Sequence, residues 1–243
     1  MSAAAEEINT EAPVTLKITT AGIKAEFEGT NGRKIFKNIG LNSMSRILNR
    51  DSEFDTGFLP IYGRHYMAIK RYVKMGDKEI LFIEASPCNR LIKWGHDNLD
   101  EITNVRFPGL LMAVTCRVNN DGTISPKDTR VFATQGPILR DTDQLYRFPF
   151  GNVYHPDGRI CWGSAGREHN KIRTLTQAGS LLDTFLFAGM NNDLYGNDTN
   201  NANMGLEQYL RSLQDKPEFP YSDLKSEISF KDLTSLLKSS NIG

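Results

Sequence analysis

The sequence predicts an α+β protein, an antiparallel β-meander flanked by helices and preceded by an N-terminal β-rich extension. Three observations carry that prediction. Strand-like stretches recur at residues 65–73, 80–85, 110–118 and 130–134 with turn chemistry between them, the spacing of an antiparallel sheet. After Cys161 the apolar period changes from two to between three and four, which is helical. The first 55 residues carry short alternating strands of their own. With 243 residues, of which 39% are hydrophobic and 24% charged, the chain has the length for one large domain or two small ones with a sizeable core.

Residues 1–12 are small and acidic without apolar periodicity and read as a disordered lead-in. Residues 13–56 form the β-rich accessory unit. Val14, Leu16 and Ile18 alternate with polar residues, Ala21-Gly22 turns the chain, and Ile23, Ala25 and Phe27 alternate again, which is a hairpin. A third strand is expected at 34–39 and a short helix at 42–49, where Met44, Ile47 and Leu48 share one face. The main domain spans residues 57–221. Its turns fall at Met75-Gly76-Asp77 and Asn119-Asn120-Asp121-Gly122, where Gly and Asn accept positive φ at low cost. The stretch 87–108 has no readable period. Leu175, Ala178, Leu181, Leu182, Phe185 and Leu186 read as one buried helix. Residues 191–203, rich in Asn and Asp, form a long surface loop or a lid over a site. A short helix at 207–213 follows, and residues 222–243 are a C-terminal segment whose helix is capped by Ser229.

Twenty-nine basic residues balance 29 acidic ones, so no global field favours nucleic acid or anionic lipid. No run of 18 apolar residues and no signal-like N-terminus is present, so no membrane is expected and the reading is cytoplasmic. Cys88, Cys116 and Cys161 are odd in number and form no Cys-x-x-Cys pair, which excludes a disulfide scaffold. Cys116 alternates with Met112 and Val114 in an apolar strand and belongs in the core. Cys88 sits in a loop after Ser86-Pro87.

Chemistry concentrates between Arg147 and Gly163. His155-Pro156-Asp157-Gly158 suits a type I turn, with Pro at the second position and Gly at the fourth. If those four residues are the loop, residue 154 faces 159, 153 faces 160, and Asn152 faces Cys161. An amide and a thiol then share one face of a hairpin. A thiol that accepts and passes on an acyl group forms a tetrahedral intermediate, and an Asn amide can stabilise its oxyanion. Cys161 is the candidate nucleophile and Asn152 the candidate oxyanion donor.

Asn152-Val153-Tyr154 followed by Cys161 nine residues after the Asn resembles the active-site stretch of ubiquitin-conjugating enzymes. The wider pattern Pro149-Phe150-Gly151-Asn152-Val153-Tyr154 with Asp157-Gly158-Arg159-Ile160-Cys161-Trp162-Gly163 is similar to a bacterial ubiquitin-conjugating-like family, prokaryotic family D, that includes the PRTRC-system protein B. The resemblance covers roughly residues 57–195 and is strongest around Cys161. It implies a ubiquitin-conjugating fold and a transferase in which Cys161 takes a ubiquitin-like protein from an activating enzyme as a thioester and hands it to an amine of an acceptor protein. No cofactor is implied. Two departures from the ubiquitin-conjugating enzymes stand out: Phe150-Gly151 replaces their His-Pro before the Asn, and the Asn-to-Cys interval is one residue longer than in common eukaryotic members. His155 and Asp157 are candidates for helping to deprotonate the acceptor.

Three rival readings belong beside this one. A non-catalytic adaptor would keep the fold and the partners while Cys161 served as a core thiol. A Cys hydrolase would use His169 as base, although His169 lies only eight residues on and the strand-like Arg159-Ile160 argues against a helix starting at the Cys. A metal held by His155, Cys161 and His169 lacks a fourth ligand and a compact spacing. Gly163-Ser164-Ala165-Gly166 is neither a nucleophile elbow nor a phosphate loop.

Overall fold

The computed structural model describes residues 15–19, 22–39, 53–59, 67–95, 100–163, 166–196, 199 and 204–240. The chain divides into two compact units, Met1–Ser52 and Glu53–Gly243. In the first unit β1 (Thr15–Thr19), β2 (Gly22–Glu28) and β3 (Lys34–Ile39) form an antiparallel sheet in that order. Thr19 pairs with Gly22 and Leu16 with Ala25, the hairpin that the alternation predicts. The lead-in at 1–12 and the helix expected at 42–49 lie outside the described residues.

The second unit is built on a large sheet. Its spine is β5 (Met67–Met75), β6 (Lys78–Ala85), β9 (Gly109–Val118) and β10 (Ile124–Thr134), each antiparallel to the next. The short β4 (Phe54–Asp55) pairs with β5 at one edge. The expected strand at 130–134 therefore begins six residues earlier, because Ile124 still pairs with Val118 across a turn in which Asp121 accepts the Thr123 N–H at 2.9 Å. Between β6 and β9 the unreadable stretch forms a separate hairpin, β7 (Asn89–Trp94) and β8 (Asp100–Arg106). Its register slips between Arg90 and Ile92, which breaks the period of two that a sequence reading depends on.

β6 is buried along its whole length because both faces of the sheet are covered. Leu81, Ile83, Met112 and Val114 face one core, shared with Phe148, Phe150, Phe185 and Leu210. Ile80, Phe82, Leu111 and Ala113, one residue out of phase, face the other, shared with Phe230, Leu233 and Leu237. The first core is closed by the helices α2 (Leu175–Gly179), α3 (Leu181–Phe187) and α4 (Leu206–Ser212), which follow the four-residue α1 (Gly166–His169). The single helix expected at 175–186 is two helices, because Ser180 closes α2 by donating its N–H and its hydroxyl to the Gln177 carbonyl. A capping box between Thr174 and Gln177 starts the first of them.

The second core is closed by α5 (Phe230–Ser239), whose N-cap Ser229 accepts the Asp232 N–H as the sequence predicts. Lys78 stretches its ammonium to the carbonyls of Leu237 and Lys238, both at 3.0 Å, and pins the far end of that helix. Before α5, β14 (Ser226–Ser229) pairs with β11 (Gln144–Arg147), which in turn pairs with β10. Residues 222–240 thus contribute a strand and a helix to the second unit. Among the described residues no helix is long and apolar enough to cross a membrane.

Candidate active site

The hairpin β12 (Val153–Tyr154) and β13 (Arg159–Ile160) has the predicted register. Val153 pairs with Ile160 and Tyr154 with Arg159, and the Cys161 N–H donates to the Asn152 carbonyl at 2.8 Å. Val153 and Ile160 are buried in the core, so the period of two turns Tyr154, Arg159 and Cys161 to the other face. The hairpin is held on β10, where Arg130 pairs with Arg159 and the Val131 N–H donates to the Gly158 carbonyl at 2.9 Å. A Cβ on Gly158, whose φ is +71°, would stand 2.7 Å from the Phe132 ring, which explains the glycine.

The turn itself differs from the type I expectation. Its closing bond runs from the Gly158 N–H to the Tyr154 carbonyl at 3.0 Å, one residue wider than a type I turn. This four-residue tip leaves the Asn152–Cys161 pairing intact.

Cys161 and Asn152 open onto a small cleft of about 140 Å³, whose opposite wall is the segment from Ala188 to Leu194. Two backbone bonds stitch that segment to the end of β7: Met190 N–H to the Lys93 carbonyl at 2.8 Å and Gly95 N–H to the Met190 carbonyl at 3.0 Å. Asn152, in the left-handed region at φ 67°, bridges the cleft by donating from Nδ2 to the Gly189 carbonyl at 2.6 Å. The two sides meet closely at Gly151, where a Cβ would lie 2.6 Å from the Asn191 carbonyl. Phe150 is fully buried against Phe107 at 4.4 Å between ring centres, and at 151 only glycine fits beside the loop.

Cys161, on the same face, holds the Tyr154 phenol above its ordinary range, first through hydrogen bonding and then through its charge. Trp162 lies beside the cysteine with its indole N–H on the Thr129 hydroxyl at 2.8 Å and its ring 4.7 Å from that of His169. Burial keeps the His169 imidazole below the ordinary histidine range, and His169 does not line the cleft. Asp193 does, and among the described lining residues it is the sole carboxylate.

His155 and Asp157 lie elsewhere. Both belong to the hairpin tip, three residues or more from the Asn152–Cys161 pair, about 10 Å along the strands, and neither lines the cleft. The Asp157 carboxylate is occupied with Arg159, accepting its backbone N–H at 3.1 Å and its Nε at 2.6 Å. The sequence reading missed Tyr154, although the period of two that paired Asn152 with Cys161 puts Tyr154 one step along the same face. It also missed Gly189 and Asp193, which only tertiary packing brings to the thiol. Among the described residues no group of His, Cys, Asp and Glu is placed to hold a metal ion.

An antiparallel meander with helices on both faces, followed by a hairpin that turns a thiol and an amide into one cleft, is compatible with a ubiquitin-conjugating, or E2-like, fold. The model of prokaryotic E2 family D matches residues 65–227, more than half of the chain, and the chain belongs to that family. Membership carries a role related to ubiquitin-like conjugation and to the components of such a system. No curated protein and no solved structure matches the chain.

Proposed function

We propose that this protein carries a ubiquitin-like protein as a thioester on Cys161 and passes it to an amine of an acceptor protein. The observation that supports the reading best is the register: Cys161 and Asn152 pair at the end of a hairpin and open together onto one cleft. In the first step the Cys161 thiolate attacks the thioester carbonyl carbon offered by an activating enzyme. The new C–S bond forms as the activating enzyme's sulfur leaves as thiolate. In the second step the acceptor nitrogen attacks the same carbon, Cys161 leaves as thiolate and the nitrogen gives up a proton.

Asn152 has two amide hydrogens. One is spent on Gly189, which fixes the side chain, and the other is free to meet the oxyanion of each tetrahedral intermediate. Tyr154 donates to the thiolate whenever it is released. Asp193, rather than His155 or Asp157, is the group in position to take the acceptor's proton. The reading places the protein in a bacterial cytoplasm with an activating enzyme, a ubiquitin-like protein and an acceptor as partners.

The test is a reconstitution with an activating enzyme, its ubiquitin-like protein and ATP. The reading expects an adduct that a thiol reductant removes, and none with Cys161→Ala. Full conjugating activity in the Cys161→Ala protein would instead make the chain an adaptor.

A further inference from the structure

Cys161 is followed at once by Trp162, and His169 lies seven residues beyond Trp162, at the end of α1. Trp162 lines the cleft beside the thiol, so where its indole stands decides the shape of the site. Among the described residues three contacts hold that ring. Its N–H donates to the Thr129 hydroxyl of β10 at 2.8 Å, and it stands across the ring of Phe185 of α3 at 6.2 Å between centres. It leans on the His169 imidazole at 4.7 Å, the two planes 38° apart. Of the three partners, only His169 can change its charge.

His169 is 9% exposed. Its Nδ1 lies 3.4 Å from Asn170 Oδ1, while Nε2 is closed off from water and has no hydrogen-bond partner among the described residues. That pattern suits a neutral ring with its hydrogen on Nδ1 and a bare lone pair at Nε2. A proton added at Nε2 would make a buried N–H without an acceptor, on a buried cation without a counter-charge. Among the described residues the charged groups nearby do not supply one. Arg173 is itself a cation and donates to the Asn170 and Ile172 carbonyls. Asp128 and Arg130, on either side of Thr129, pair with each other at 2.9 Å, and Asp183 of α3 lines a separate cleft with Arg90. Arg167, Glu168 and Lys171 are the other charged residues of that stretch of sequence. Burial holds the imidazole below the ordinary histidine range, against a smaller opposing effect of the Asn170 bond. An imidazolium would be drawn to the indole face, but that attraction is smaller than the cost of burying an unpaired charge.

We propose that His169 is a positioning residue for Cys161: its uncharged ring backs Trp162 and keeps the indole against the cleft, and a proton taken up at Nε2 turns the ring out to water and releases the indole. The proton comes from solvent and returns to it, so the device is reversible. The proposal rests on the reading of Cys161 as the acyl carrier, and adds that the cleft keeps its transferring form only while His169 is neutral. His169 acts through Trp162 alone, since it does not itself line the cleft.

The test follows the two tryptophan indole N–H signals and the Cys161 and Gly189 backbone amides of the full-length protein by NMR, with Trp162→Phe to assign the indole. As pH falls, the Trp162 signal and both amides are expected to move together on one curve with its midpoint below the ordinary histidine range. In His169→Phe, which keeps a ring but cannot take a proton, they stay put. Near neutral pH, transfer from the charged protein to a free amine is expected within about twofold of wild type for His169→Phe and about tenfold slower for His169→Ala, which removes the backing. At lower pH the wild-type rate, divided by that of His169→Phe, falls along the NMR curve to about half at its midpoint. The wild-type titration and the Phe variant decide the matter should His169→Ala fail to fold. An indole signal that stays put until the fold itself is lost, the same curve in His169→Phe, or a rate ratio that does not follow the curve would overturn the proposal. So would undiminished transfer by folded His169→Ala. The NMR readout needs no activating enzyme, so a wild type that cannot be charged while its signals move as expected would strike the thioester reading and leave the seating of Trp162 by His169 standing.

Discussion

Cys116 and Cys161 carry the same thiol in two regions of one unit, and the contrast shows how the fold decides what a thiol can do. Cys116 sits in β9 two residues before its end, opposite Glu79 on β6, fully buried. Burial, and then the charge of Glu79, push its thiol up to about 12. Cys161 follows β13, the second strand of a two-stranded hairpin, is half-buried, opens onto a cleft and faces a phenol hydroxyl. A strand with neighbours on both sides and cores on both faces makes a cysteine a packing residue. A hairpin at the rim, docked by one face, leaves the other face for chemistry.

The sharpest way to break this contrast is alkylation. At pH 8 a thiol with a pKa near 12 is thiolate in about one molecule in ten thousand, against a sizeable fraction for an ordinary cysteine. Iodoacetamide followed by peptide mass mapping is expected to modify Cys161 at least about a hundredfold faster than Cys116 in the folded protein. Comparable rates would mean that the two environments do not differ as described.

Two variants sharpen the comparison by separating the amide from the loop that it braces. Asn152→Asp keeps the shape but removes both amide hydrogens, so transfer from the charged protein to a free amine is expected to fall about a hundredfold. Gly151→Ala leaves Asn152 in place and only forces the Asn191 carbonyl away, so a fall of about tenfold is expected for the same reaction. A larger loss from Gly151→Ala than from Asn152→Asp would make wall placement, rather than the oxyanion donor, the stronger contribution. Tyr154→Phe has the smallest expected effect. Losing one exposed donor to the thiolate should slow alkylation of Cys161 about two- to fivefold, with Cys116 unaffected. An unchanged Cys161 rate would remove the phenol from the site.

How much of this was legible in the sequence follows the same division. The Cys116 environment could be read from its alternation with Met112 and Val114, because a strand's period of two survives wherever the ladder is regular. The Asn152–Cys161 pairing could be read because a turn of four residues fixes its hairpin's register, even though the turn type differed. The β7–β8 hairpin could not, since its register slip cancels the alternation. Nor could the break between α2 and α3, which Ser180 makes within a continuous apolar pattern. Of the cleft's far wall the sequence offers only the part from residue 191 on, as a surface loop or lid, because what brings Gly189 and Asp193 to the thiol is pairing with β7 and the bond from Asn152, both contacts between distant parts of the chain.

The claim that Cys161 is the acyl carrier is tested most directly by trapping. Charging Cys161→Ser with an activating enzyme, ATP and the ubiquitin-like protein should replace the reductant-sensitive adduct of the wild type with an ester that resists reductant and is cleaved by mild base. A reductant-sensitive adduct that persists in Cys161→Ser, with the linkage mapped to another cysteine, would contradict the account.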